Sequence, residues 1–240
     1  MKRGQQAVED IKQQVASAAD RLEMVQLDTA SDDSVQQAAA KISQSSLYGI
    51  INNAGIIRGS SLQEVVNVNY FGPKRVNDAL LACLQRPGGR IVNIASASGP
   101  NFVSSLRDRT LYGKLAEPWT IADFDELDAM ARQAHPEADN NHYGFSKALV
   151  NAYTYLLARR EKDLIVNSVT PGWIQTDMTA GMGATNPPSK GAVPPVWLLM
   201  DEALTKVPTG RYYGSDCVRS PLNVYRGPGD PPYEGLDGPE

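Results

Sequence analysis

Hydrophobic positions recur along this chain with two periods. Residues 5–18 (QQAVEDIKQQVASA) are polar and rich in helix formers, and the spacing of Val8, Ile11 and Val15 predicts a helix with one buried stripe. Leu22 to Leu27 (LEMVQL) reads as a short strand, ended by the cap-type residues of Asp28-Thr29-Ala30-Ser31. A second amphipathic helix follows through Val35, Ala39 and Ile42. Leu47 to Ile51 (LYGII) is an apolar strand leading into Asn52-Asn53-Ala54-Gly55. Residues 62–85 have helical periodicity, with Pro73 forcing a kink or a late start. Residues 90–95 (RIVNIA) read as a strand, 141–160 as a helix, and 164–169 (LIVNSV) as a strand that stops at Pro171-Gly172.

Short apolar strands alternating with helices predict β-α-β units and a parallel sheet, an α/β doubly wound architecture. Sheets of this kind bind ligands at the carboxyl ends of their strands. The chain has 240 residues, which suits one core, assigned to 1–225, and no internal repeat is visible. Residues 226–240 are Pro/Gly-rich and acidic and are expected to form a loose tail.

Composition narrows the function classes. With 23 Lys and Arg against 27 Asp and Glu there is no basic field for a phosphate backbone, so no nucleic-acid partner is expected. Two cysteines, Cys83 and Cys217, and two histidines, His135 and His142, argue against a disulfide framework and a nitrogen–sulfur metal centre. No run of about 18 apolar residues and no apolar stretch behind the first charges suggest a span or a signal peptide. The expectation is a cytoplasmic enzyme without a membrane partner.

Candidate chemistry lies at the strand ends. Tyr143 and Lys147, four apart on a helix, share a face. A neighbouring cation favours phenolate, which would pull the tyrosine from its usual pKa of about 10 toward neutrality and suit it to acid–base work on a carbonyl. Alone, such a pair is most often a solvated helix face. Ser96, just past RIVNIA, could donate to the same carbonyl oxygen or serve only as a turn residue. Asn52 and Asn53 can tie neighbouring strand ends together, and Gly55 lets backbone approach a ligand, unless the four residues are simply a turn. Pro171-Gly172, followed by Thr176-Asp177, could hold a carboxamide by backbone and hydroxyl. His142 reads as a polar helix-start residue, and Trp173 and Met178 as pocket-lining or packing residues.

Taken in order, NNAG at 52–55, Ser96, YGFSK at 143–147 and PGWIQTDM at 171–178 resemble the short-chain dehydrogenase/reductase family. The likeness runs from about residue 3 to residue 213, and it implies a Rossmann-like fold. It also implies Tyr143 as the acid/base, Lys147 lowering the tyrosine pKa and binding the nicotinamide ribose, and Ser96 orienting the substrate oxygen. Asn69, in VNVNYFG, would hold a water in a proton relay. Asp28 would lie beside adenine, Asn53, Ala54 and Gly55 near the adenosine half, and Pro171, Gly172 and Thr176 near the nicotinamide amide. Ser96 and Tyr143 are 47 positions apart, which makes room for an insertion at about 102–139. That insertion, with helix-like stretches such as FDELDAMARQA, is similar to the monomeric carbonyl reductases and their plant relatives. The resemblance therefore implies a monomer that reduces a ketone, aldehyde or quinone carbonyl with NADPH.

Two departures accompany it. No glycine-rich turn of the family's TGxxxGIG form precedes Asp28, so the first two strands and the phosphate-binding loop are expected to be missing from this sequence. The strand at 22–27 would then be separated from 47–51 by a gap of about 14 Å, unless the two pair or 47–51 becomes an open edge. The stretch between Asn52 and Asn69 is also several residues short. Two alternatives stay open: a non-catalytic reductase fragment unable to bind cofactor, and a nucleotide-sugar epimerase, against which NNAG and the PGWIQTDM loop argue.

Overall fold

The computed structural model describes residues 2–18, 20–42, 46–59, 61–133, 135–201 and 208–235. Four strands, β1 (Gly49–Asn52), β2 (Arg90–Ile94), β3 (Ile165–Val169) and β4 (Tyr212–Tyr213), form one sheet in the order β1-β2-β3-β4, and every pairing is parallel. The α/β reading holds, with four strands in the sheet. β4 carries no sequence signal beyond two tyrosines, because its Tyr212 and Tyr213 are held by pairing with Ser168 and Val169.

The sheet is sandwiched. On one face lies α8 (His142–Arg160), which starts where the Asn141 side chain accepts the Gly144 N–H at 2.9 Å. Beside it lies the segment α3 (Leu62–Val66), a π-helical turn over Asn67–Phe71, and α4 (Gly72–Leu80). On the other face α9 (Pro188–Met200) packs Leu198 against Val92, Ile94, Val169 and Tyr213. Arg90, buried at the start of β2, ties down the end of α9 by donating to the carbonyls of Leu198 and Asp201, each at 3.0 Å.

The insertion folds as α5 (Ser98–Ser105), α6 (Arg109–Ala116) and α7 (Phe124–Arg132), which cover the outer side of α8. Covered by sheet on one side and insertion on the other, α8 is buried on nearly all its faces, with Phe145, Leu149, Leu156 and Leu157 at 0–1% exposure.

The N-terminal segment departs from expectation in two ways. The first helix forms, as α1 (Lys2–Gln14), but Val8, Ile11 and Val15 do not make a buried stripe, since α1 buries no residue. The strand expected at Leu22–Leu27 is not formed: these residues enter no ladder and stay half-buried or exposed. A strand exists only where a neighbour satisfies its backbone, and the sheet here ends at β1. The helix α2 (Asp32–Ile42), by contrast, packs Val35, Ala38 and Ala39 into the core. The tail expected to be loose is anchored at its first residue, where Arg226, 9% exposed, donates to both carboxylate oxygens of Asp216 at 3.0 and 2.7 Å. Among the described residues no helix is long and apolar enough to cross a membrane.

Candidate active site

Three loops leave the carboxyl ends of adjacent parallel strands, one after Asn52, one after Ile94 and one after Val169, the usual place for a ligand in such a sheet. The strand ends are locked by a buried polar network. Asn52 Nδ2 donates at 2.9 Å to Asn93 Oδ1 on β2 and to Asn77 Oδ1 on α4. Asn93 Nδ2 in turn donates to Thr154 Oγ1 on α8 at 2.9 Å. Every partner in this row is satisfied, which fixes the register of β1, β2 and α8. Asn52 was expected in this role; Asn77, Asn93 and Thr154 were not, because nothing local marks them.

Tyr143 lies in the first turn of α8, and its phenol is within electrostatic reach of Ser96, which sits two residues past β2. The approach depends on Gly99: a Cβ there would stand 3.1 Å from the Lys147 carbonyl carbon and 3.2 Å from the Ala148 nitrogen. A side chain there would crowd the α8 backbone, so glycine eases the approach of α5, and of Ser96 before it, to α8. Lys147 is 4% exposed, its amine donates to the Ile94 carbonyl at 2.7 Å, and Nζ lies 5.5 Å from the centre of the Tyr143 ring.

The electrostatics reverse one expectation. Lys147 does not pull Tyr143 toward neutrality. Burial pushes the phenol up, and the Ser96 hydroxyl offsets only part of that. Burial also acts on the lysine itself, lowering it to about 8. Its ammonium is spent on the Ile94 carbonyl rather than on the phenol.

Asn69 sits in the π-helical turn. Its Oδ1 accepts the Ile56 N–H at 2.8 Å, and its Nδ2 donates to the Ile56 carbonyl at 2.8 Å and to Ser146 Oγ at 2.9 Å. The short link from Asn52 therefore still delivers Asn69 to the helix of Tyr143. With the amide fully committed, the backbone carbonyl is the group left to act. Its α-helical donor would be the N–H of residue 73, which is Pro73 and has none. The bend expected at Pro73 thus takes the form of a π turn ending two residues before it.

Gly55 belongs to the same cluster, since a Cβ on it would lie 3.1 Å from Asn69 Oδ1 and 3.6 Å from Lys147 Nζ. Asn53 and Ala54 are exposed at the end of β1. Pro171 and Gly172 are half-buried after β3, with Gly172 at φ +89° against Ser215. Thr176 is exposed and shares a reciprocal cap with Thr179. Asp28 stands in a separate group: exposed, its carboxylate accepts the Ala30 N–H at 2.9 Å on the turn before α2. One neighbour was missed. Tyr212 on β4 is buried, hydrogen-bonds Thr170 and is electrostatically coupled to Tyr143.

Comparisons with known proteins agree with this geometry. The short chain dehydrogenase family profile matches residues 1–107. Short-chain dehydrogenase/reductase 1 of Saponaria officinalis is 30% identical over 243 residues, covering 83% of this chain and 78% of that one. Carbonyl reductase (NADPH) 1 of Rattus norvegicus is 27% identical over 184 residues, 68% of this chain and 66% of that protein. Among solved structures, salutaridine reductase from Papaver somniferum shares the fold, with a TM-score of 0.75, 23% identity and coverage of 88% and 87%. The chain belongs to the short-chain dehydrogenase/reductase family, oxidoreductases that use nicotinamide cofactors.

Proposed function

We propose that the protein reduces a ketone, aldehyde or quinone carbonyl with hydride from NADPH, Tyr143 delivering the proton. The observation that carries this reading is the convergence of two hydroxyls, Tyr143 and Ser96, beside the buried Lys147 at the carboxyl end of β2. A carbonyl oxygen placed between them would meet two donors. The upward shift of Tyr143 fits reduction, because a general acid must still hold its proton at neutral pH. NADPH, rather than NADH, is favoured by the named carbonyl reductase relative.

The residues present fit one half of such a cofactor. Bound there, it would supply the hydride. Lys147, with the Tyr143 phenol beside it, can hold the ribose hydroxyls, and the backbone at Pro171 and Gly172 with Thr176 can take the carboxamide. Gly55 leaves the space for backbone approach that a Cβ would fill. Asn69 would hold a water by its carbonyl, behind Lys147, and so replace the proton that Tyr143 gives up. For the pyrophosphate, no glycine-rich turn at a helix N-terminus stands among the described residues.

The test is quinone or ketone reduction by the 240-residue chain over a wide NADPH range. Tyr143→Phe is expected to lower kcat by roughly 10²–10⁴, the usual general-acid factor. Near-normal turnover in Tyr143→Phe would sink the assignment. Absence of NADPH binding at millimolar concentration by calorimetry would favour the second reading, a non-catalytic reductase fragment, to which the unpaired 22–27 segment points. We further propose a cytoplasmic monomer. The insertion helices already cover the outer side of α8, leaving that face no partner to seek, and light scattering should report one chain per particle.

A further inference from the structure

The insertion does more than cover α8. Its last helix, α7, grips the π-helical turn at three of its neighbouring side chains. Asp128, 7% exposed on α7, accepts from the Tyr70 hydroxyl at 2.6 Å and from Lys74 Nζ at 2.7 Å. Arg132, one turn on, lies 3.8 Å from the same carboxylate and places its guanidinium 4.6 Å from the centre of the Phe71 ring. Tyr70 and Phe71 are the two residues directly after Asn69, and Tyr70 is fully buried, edge-on to Tyr153 of α8. Burial and the Asp128 carboxylate push the Tyr70 phenol up, which keeps it a donor at every working pH.

A π turn is a costlier backbone than the α-helix around it and persists only where its surroundings hold it. Asn69 pins one side of this turn to Ile56 and Ser146. At the start of the turn Arg75 of α4 donates to the Asn67 carbonyl at 3.2 Å and to Asn67 Oδ1 at 2.7 Å, which leaves its far end, at Tyr70, to Asp128. We propose that Asp128 is a positioning residue: by holding Tyr70 and Lys74, it fixes the π turn and with it the Asn69 carbonyl, so that the insertion sets the geometry of the proton relay. The proposal rests on the role given to Asn69 above.

The experiment is a set of variants of the full chain: Asp128→Ala, Tyr70→Phe, Asn69→Ala, and Asp128→Ala combined with each of the others. Tyr70→Phe removes one hydroxyl and guards against misfolding of Asp128→Ala. Asp128→Ala should lower kcat about tenfold with KM for the carbonyl substrate within about twofold, since an interaction acting on the relay alone leaves substrate binding untouched. Combined with Tyr70→Phe it should cost little more, and in the Asn69→Ala background, where the carbonyl remains but its side-chain pin to Ile56 and Ser146 is gone, it should cost less than in the parent, as expected for residues that hold one turn together. Glu126→Gln, which breaks an ion pair internal to the insertion with Lys114, should leave kcat unchanged. Equal losses from Asp128→Ala with and without Asn69 would overturn the proposal, as would an unchanged kcat. Hydrogen exchange over residues 67–73 gives a reading independent of turnover: it should rise in Asp128→Ala and in Tyr70→Phe. If the parent chain reduces no carbonyl, the function proposed above fails, and unchanged exchange in both variants would overturn the brace separately.

Discussion

Two regions of this fold are finished to different degrees. At the β3 side, α8 buries 14 of its 19 residues between sheet and insertion, and the core there is continuous. Away from it, α1 buries none, Ile11 and Val15 stay 43% and 48% exposed, and α9 shows Val193, Val196 and Met200 to solvent. Tyr143, Lys147 and Ser96 all sit on the closed side, and Asn69 is tied to it through Ser146. Asp28 and the exposed Asn53 and Ala54 sit toward the open one. The lesson is that the acid–base geometry is built on the well-packed part of the fold, since it needs α8, the insertion and three strands.

The contrast is sharpest in stability. Leu149→Ala, at 0% exposure in the middle of α8, should cost about 2–5 kcal/mol in denaturant unfolding, because it removes transfer energy and leaves a cavity. A smaller effect comes from Lys147, held at about 8 when folded and at its ordinary value near 10.5 when unfolded. Between those values the unfolded chain carries a proton that the folded chain lacks, so stability rises with pH across the window and is lost as pH falls through 8. The slope should be about 1 kcal/mol per pH unit, and Lys147→Met should flatten it. The buried tyrosines Tyr70, Tyr153 and Tyr212 are all shifted upward and act only above about pH 10, equally in both proteins. Parallel pH curves for the parent and Lys147→Met would mean that the amine is better solvated than its burial indicates.

How far the sequence could be read divides along the same line. The strands near 47–51, 90–95 and 164–169 were legible because each is a short apolar run whose partners are all present. The site was legible because Tyr143, Lys147, Ser96 and Gly55 sit where strand ends and helix spacing place them. The strand at 22–27 misled because its apolar run is real but its partner is not in the sheet, and pairing is a tertiary property. Val8, Ile11 and Val15 misled for the same reason. Tyr70, Asp128 and Tyr212 could not be found from spacing, since Tyr70 and Asp128 meet across 58 positions and Tyr212 reaches Thr170 only through strand pairing. The direction of the Tyr143 shift was unreadable because it depends on whether burial or the neighbouring amine prevails.

The smallest expected effect is the most direct check on the comparison. Ile11 on α1 and Val15 just past its end lie on the stripe that an ordinary surface helix would bury, yet both remain exposed. Replacing an exposed side chain that touches no core leaves unfolding free energy within about 0.5 kcal/mol. Ile11→Ser should therefore unfold at the parent's denaturant midpoint, although the same kind of change at Leu149 would be severe. The variant should also be less prone to self-association, because it removes exposed apolar surface. A loss of more than about 1.5 kcal/mol would exceed anything an exposed side chain supplies, and would place α1 against a real core. In that case α1 has a packed face after all, and the contrast with α8 does not hold.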